Sequence, residues 1–157
     1  HTAEAHAVEL ARLKAQSLRP AAPQDALLLA ADTICVTPAG QLLGTPEDPD
    51  EAAAMLASFR LAAHRVVTGV AILRVADERW WFTSDAAAVT WGAIADDDLA
   101  RYVAGGEWRG KAGGYNLFDR QRAGWPIRED GDPGTVVGLS LRKLAPLLAD
   151  AGITPTP

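Results

Sequence analysis

The chain has 157 residues, of which 48 % are hydrophobic and 22 % are charged, and its formal net charge at pH 7 is −5. This balance is typical of one soluble globular domain; it argues against a protein that grips long nucleic acid through its overall field, and no apolar run approaches the roughly 20 residues of a membrane span. Cys35 is the only cysteine, so we expect an inert core thiol rather than a disulfide or a cysteine metal site, and a cytoplasmic location.

The chain begins with a predicted helix and a long strand. Ala7, Leu10 and Lys14 recur with the spacing of one helical face, which predicts a helix over residues 2–18. Lys14 then lies on or beside the apolar face, and the alternative to a functional role is a lysine whose stem covers the edge of that face. The continuous apolar run that follows predicts a strand over 27–36.

Helices and strands alternate over the rest of the chain. Asp48 and Pro49 form a typical helix start, in which a capping carboxylate precedes a proline at the first helical position. Pro146 lies inside the last predicted helix, where we expect a kink or a delayed start. In chain order we predict a strand over 41–43, a helix over 49–58, paired strands over 66–75 and 80–91, a helix over 96–104, irregular chain to about 126, a strand over 136–139 and a helix over 141–151.

Three segments carry residues that suit a binding site. The strand over 27–36 passes abruptly from an apolar run to Asp32 and Thr33, and strand ends in α/β proteins commonly hold ligands. Lys111 lies in a glycine-rich loop, and an acidic, glycine-containing turn occupies residues 131–134. Together they favour a site for a polyanion and its metal. The alternative is a strand-capping aspartate with two ordinary turns.

Carboxylate and lysine chemistry suits cleavage of a phosphoanhydride. That reaction needs a hard cation held by oxygen ligands, cationic groups on the phosphates and an activated water. Asp32 could serve as the metal ligand or as the general base, and Lys14 and Lys111 could hold phosphate oxygens as compact point charges. Thr33 and Thr68 offer hydroxyl groups near two strand positions.

Eight stretches occur in an order that resembles the Maf family of nucleoside triphosphate pyrophosphatases, which are similar to inosine triphosphatases in fold. They are L-A-R-L-K-A at 10–15, A-A-D-T at 30–33, G-T-P at 44–46, A-A-M-L and H-R-V-V-T-G-V at 53–56 and 64–70, Y-V and K-A-G-G-Y at 102–103 and 111–115, and V-V-G-L-S-L at 136–141. The family patterns are L-A-x-x-K-A, A-D-T, G-K-P, A-x-x-M-L with H-x-V-x-T-x-V, Y-V with K-A-G-x-Y, and V-V-G-L-P-L.

The resemblance implies an α/β fold in which a mixed twisted sheet with flanking helices forms a cleft, as a single domain over 1–157. It implies hydrolysis of pyrimidine or non-standard (deoxy)nucleoside triphosphates to monophosphate and pyrophosphate, with Mg²⁺ or Mn²⁺ as the divalent metal cation. Asp32 takes the catalytic and metal-binding role in this interpretation. Lys14 and Lys111 bind the phosphates, Thr33 supports Asp32, and Thr68 is a further substrate-binding residue.

The sequence departs from the family pattern in several places. The family begins with a strand, an S-x-R-R loop and an acidic residue that bind phosphate and metal, whereas this sequence begins inside the helix that follows them. We therefore expect an amino-terminally truncated domain whose 157-residue form is weak or inactive. Thr45 replaces the lysine of G-K-P, Ser140 replaces the proline of V-V-G-L-P-L, and residues 116–119 replace a stretch that often contains glutamine.

Two alternatives to the enzyme stay open from the sequence. The resemblance also allows a non-catalytic nucleotide-binding or septum-inhibition regulator, and the other alternative is an inactive fragment. Turnover would indicate the enzyme, and nucleotide binding without turnover would indicate the regulator. A homodimer is considered alongside a monomer, because the sequence does not identify the quaternary state.

Overall fold

The computed structural model describes residues 2–154, which contain six α-helices and five strands. The helices are α1 (Ala3–Leu18), α2 (Pro49–Phe59), α3 (Asp96–Gly105), α4 (Leu117–Arg122), α5 (Pro133–Val136) and α6 (Leu141–Asp150). The strands are β1 (Leu27–Val36), β2 (Leu42–Leu43), β3 (Ala63–Arg74), β4 (Arg79–Trp91) and β5 (Ile127–Asp130). Short 3-10 turns occupy Arg19–Ala21 and Ala112–Gly114.

The strands form one sheet in the order β2-β1-β3-β4-β5. Helices flank this sheet, so the predicted α/β class is confirmed. The mixed sheet that the resemblance implies is, over the described residues, antiparallel in all four of its pairings. The long central strands are neighbours in sequence as well as in space, because a tight turn at residues 75–78 joins β3 to β4.

Side-chain caps define where most of the helices begin. Asp48 accepts a hydrogen bond from the backbone N–H of Glu51 at the start of α2, as its position before Pro49 predicts. Ser140 caps α6 in the same way through the N–H of Lys143. α3 has no capping side chain, and instead three aspartates in its first turn face the positive end of the helix dipole.

α1 lies directly against one face of the sheet. Its inward side consists of the small residues Ala7, Ala11 and Ala15, each of which is fully buried. Gly69 on β3 completes the contact, since a Cβ atom at this position would lie 2.3 Å from the backbone nitrogen of Val8. Small residues on both surfaces therefore bring α1 against the sheet at backbone distance.

The opposite face carries the larger core. Cys35 and Val66 pair across β1 and β3 and pack with α2, whereas the adjacent pair Ile34 and Val67 packs with α1. This separation follows from the alternation of side chains along a strand. Large aromatic residues dominate the α2 side, and they include Phe59, Trp91, Tyr102, Trp108 and Tyr115. The predicted core location of Cys35 is confirmed, and burial raises the pKa of its thiol to about 12.

Two predictions of secondary structure are wrong. The strand predicted over 136–139 is the end of the helical turn α5 and the loop after it, because Asp132 caps the turn and Pro133 occupies its first position. The segment to about residue 126 that was predicted as irregular contains α4. The strand β5 begins where that segment ends, at Ile127. The other predicted helices and strands are confirmed to within a few residues at each end.

Candidate functional site

A cleft of about 280 Å³ lies along the outer edge of β1. It brings together four of the five predicted site residues, which are Lys14, Asp32, Thr33 and Lys111. Further lining comes from Thr45, Tyr115, Asn116 and the segment 136–138. The fifth predicted residue, Thr68, lies below the cleft wall at 1 % exposure.

The cleft gathers groups from both faces of the sheet because β1 has an open edge here. β1 pairs with β3 along its whole length, but within the described chain its other edge pairs with β2 only at Cys35 and Val36. Asp32 and Thr33 are consecutive, so their side chains point to opposite faces. Asp32 faces α1, and Thr33 faces the turn α5. An open strand edge is therefore what allows both side chains to line one cavity.

Lys14 on α1 and Asp32 on β1 form an ion pair. The aspartate side chain is 13 % exposed, whereas the lysine side chain is 58 % exposed. The lysine is therefore accessible from the cleft while it holds the carboxylate. An ammonium so placed can contact an anion such as a phosphate without first breaking the ion pair.

Lys111 reaches the same cleft from a loop that is fixed by glycine. Its ammonium group donates a hydrogen bond to the backbone carbonyl of Glu107. Gly113, two residues on, has φ +69°, and a Cβ atom there would lie 2.6 Å from the Sγ atom of Cys35. The N–H of Gly113 also donates to the carbonyl of Gly44 over 2.9 Å. Only glycine lets this loop lie against the core with Lys111 at the cleft.

A buried aromatic pair supports the loop from beneath. The hydroxyl of Tyr115 lies 2.8 Å from Nε2 of His64, and the imidazole stacks on Phe59 with ring centroids 3.9 Å apart. Burial lowers the pKa of His64 to about 4, so the ring is neutral near pH 7. No role for this pair follows from the sequence alone, although both residues lie in the matched H-x-V-x-T-x-V and K-A-G-x-Y stretches.

Three threonines from separate segments form a hydrogen-bonded chain beside Asp32. Thr68 donates its only hydroxyl proton to the backbone carbonyl of Thr135 over 2.7 Å. The Oγ1 atoms of Thr33 and Thr68 are 2.8 Å apart, and Thr33 must therefore be the donor in that pair. Thr33 consequently presents lone pairs, and not a proton, to the cleft. This suits a donor such as a water or a hydroxyl better than a phosphate oxygen.

The donor set limits how a metal ion could be held. Among residues 2–154 no group of three or more histidine, cysteine, aspartate or glutamate side chains could bind a metal together. Asp32 is the only carboxylate among the described residues that line the cleft. Mg²⁺ commonly keeps several waters and binds one or two carboxylates together with substrate phosphates. A divalent ion held mainly by the phosphates of a ligand would therefore need only this one carboxylate from the described residues.

Comparison with known proteins identifies the family. Residues 1–151 match the model of the family described as "Maf-like protein". The chain belongs to the Maf-like protein family. This membership confirms the resemblance that the ordered motifs predicted.

Curated relatives of this Maf-like chain carry the name "dTTP/UTP pyrophosphatase". The protein from Salinibacter ruber is 40 % identical over 135 residues, which are 86 % of this chain and 65 % of the relative. The protein from Pelotomaculum thermopropionicum is 37 % identical over 129 residues, covering 82 % and 66 %. The protein from Shouchella clausii is 41 % identical over 147 residues, covering 94 % and 74 %. The chain thus spans just under two thirds of the first two relatives.

Two of the departures of this Maf-like chain from the family pattern lie at the cleft. Thr45 lines the cavity where the pattern has a lysine. Asn116 lines it as well, and its Oδ1 accepts the N–H of Asp119 as the cap of α4, which leaves its amide N–H groups for a ligand. Phe118 follows at 42 % exposure.

Over residues 2–154, no helix has the length and hydrophobicity that crossing a membrane requires.

Proposed function

We propose that this chain acts as a nucleoside triphosphate pyrophosphatase that hydrolyses pyrimidine (deoxy)nucleoside triphosphates to monophosphate and pyrophosphate. The observation that carries the proposal is the convergence of the Lys14–Asp32 ion pair and Lys111 on one cleft. Family membership and the names of the relatives support it. The preference for pyrimidines rests on those names alone.

In the proposed reaction, water is consumed and the anhydride bond between the α- and β-phosphates breaks. Asp32 accepts the proton of the attacking water, because it is the only carboxylate among the described residues that line the cleft. Lys14 and Lys111 contact the phosphate oxygens as point charges. Thr33 accepts a hydrogen bond from a water or a ligand hydroxyl, and Thr68 acts only by holding Thr33 in place.

Charge balance explains why a divalent cation belongs to the proposal. A triphosphate carries about four negative charges, whereas the described cleft offers two lysines and one opposing carboxylate. Mg²⁺ or Mn²⁺ bound with the nucleotide would neutralise charge that develops on the phosphates. Asp32 is the side chain that would ligate it.

The test is pyrophosphate release from UTP, dTTP and ATP, with the wild-type chain and Asp32→Asn compared under the same conditions. We expect weak turnover of UTP and dTTP that still exceeds the turnover of ATP, and a fall of at least about 100-fold in Asp32→Asn. Asp25→Asn is the matched control, because Asp25 is an exposed aspartate in the turn before β1. An Asp32→Asn variant with normal turnover would remove Asp32 from the mechanism.

The same assays separate the alternative functions. A rise in melting temperature with UTP, without turnover, would favour a non-catalytic nucleotide-binding regulator. Neither binding nor turnover would indicate that the chain by itself is inactive. A homodimer and a cytoplasmic location are also proposed. Light scattering on the purified chain tests the first, and fractionation of the source cells tests the second.

A further inference from the structure

The wall of the cleft at residues 136–138 depends on a very short helix. The first residue of this wall, Val136, is the last residue of α5, which has only four residues. A single helical turn is not stable in water by its own hydrogen bonds. Contacts from elsewhere must therefore hold the turn in place. Its residue Thr135 is fully buried, although it is polar, and buried polar groups are normally hydrogen-bonded.

Thr135 is held at two points by neighbouring strands. Its backbone carbonyl accepts the hydroxyl proton of Thr68 on β3 over 2.7 Å. Its own hydroxyl donates to Oδ2 of Asp85 on β4 over 2.8 Å. Thr68 and Asp85 are direct partners in the register of β3 and β4, so they lie side by side on one face of the sheet. The turn is thus fastened to two adjacent positions of the central sheet.

The two hydrogen bonds of Thr135 are connected to the cleft by two routes. One runs along the chain from Thr135 to the wall at 136–138. The other runs from the carbonyl of Thr135 through Thr68 to Thr33, whose acceptor orientation depends on the direction of these hydrogen bonds. The two routes meet, because a Cβ atom on Gly138 would lie 3.4 Å from Oγ1 of Thr33.

We propose that Asp85 is a positioning residue for the cleft, although it is not among the residues that line it. A carboxylate has no proton to donate, so Thr135 must donate to it, and the orientation of Thr135 is fixed. Among residues 2–154, Asp85 has one other side-chain partner, the guanidinium of Arg142 at 3.0 Å; the arginine side chain is 67 % exposed and that of Asp85 is 13 % exposed. The bond to Thr135 is the one expected to position the turn, because Thr135 is a fully buried residue of that turn, whereas Arg142 belongs to α6 and its side chain is largely exposed.

Three variants separate the hydrogen bond from the charge. Asp85→Ala removes the hydrogen bond to Thr135 and the ion pair with Arg142. Asp85→Asn keeps an acceptor oxygen for Thr135 but loses the charge. Arg142→Ala removes only the ion pair. The first readout is hydrogen exchange of the backbone amides of Val137 and Gly138, which are hydrogen-bonded within the turn. The second is the KM and kcat for UTP, and this readout rests on the proposed function.

We expect Asp85→Ala to speed the exchange of these two amides about tenfold or more, the change that loss of one buried hydrogen bond produces. We expect KM for UTP to rise about tenfold with a smaller change in kcat, because the wall contacts the ligand in the ground state as well as in the transition state. Asp85→Asn should restore both values to near those of the wild type. Arg142→Ala should leave them unchanged.

Unchanged exchange at Val137 and Gly138 in Asp85→Ala would overturn the inference, as would an effect of Arg142→Ala equal to that of Asp85→Ala. If Asp85→Ala does not fold, Thr135→Val replaces it, because that variant loses the hydroxyl donor and keeps the backbone carbonyl that Thr68 uses. If the wild-type chain hydrolyses no triphosphate, the proposed function fails. The exchange rates then decide the positioning role by themselves.

Discussion

Substitution of Gly69 by alanine tests how closely α1 packs on the sheet and whether that packing positions Lys14. Gly69 lies on β3, and the added Cβ atom would be 2.3 Å from the backbone nitrogen of Val8 and 2.4 Å from the carbonyl carbon of Ala7. These are backbone atoms of α1, so no side-chain rotation can relieve the contact. The whole helix has to move, or β3 has to bend.

The structure sets the size of that movement. Ordinary contacts of a Cβ atom begin at 3.4 Å, so α1 must withdraw by about 1 Å, and the close-packed interior resists such a shift. Overpacking of this kind costs about 1–3 kcal/mol of unfolding free energy. Lys14 moves with α1 away from Asp32, so we also expect a fall in kcat/KM for UTP in the chain that remains folded.

Urea unfolding followed by tryptophan fluorescence measures the free energy of unfolding for the variant and the wild type. Gly44→Ala is the matched control, because a Cβ atom at Gly44 would meet no atom within 4 Å. If Gly69→Ala unfolds at the same urea midpoint as Gly44→Ala, the argument that α1 packs at backbone distance is refuted.

Two further predictions concern Lys111 and the buried His64 beneath its loop. Lys111→Ala should weaken binding of UTP more than binding of uridine, and the difference should shrink as salt is added, because screening weakens the attraction between ammonium and phosphate; isothermal titration with both ligands checks this, and equal losses would indicate a collapsed loop instead. Burial lowers the pKa of His64 from 6.5 to about 4. As the pH falls from 7 to 4, the imidazole is therefore protonated in the unfolded chain before it is protonated in the folded chain. The fold should therefore lose about 3 kcal/mol of stability between pH 7 and pH 4 on account of this group. His64→Phe should lose this part of the pH dependence in urea unfolding, and an unchanged pH profile in that variant would show that another group is responsible.

The sequence alone predicted most of the helices and strands, and four of the residues that it selected line one cleft. The mainly apolar run over 27–36 predicted the bounds of β1, because a run of this length is typical of a strand within a sheet. The helical spacing of Ala7, Leu10 and Lys14 predicted α1. The fully buried stripe of Ala7, Ala11 and Ala15 was evident only from the structure. Asp32, Lys14 and Lys111 were selected from their residue types, from strand and loop context and from the ordered motifs, and the structure brings all three to one cleft.

Tertiary structure decided what local pattern could not. The apolar run at 136–139 is too short to distinguish a strand from a helical turn by periodicity, and the contact of Thr135 with the sheet settled the outcome in favour of α5. Thr68 was selected as a ligand because it is polar and lies in a motif, yet only the fold shows that it is buried and acts through Thr33. Asp85 was not noticed, since fifty residues separate it from Thr135. A hydrogen bond between residues so far apart leaves no periodic trace in the chain, because it exists only after the strands have paired and the turn has docked on them.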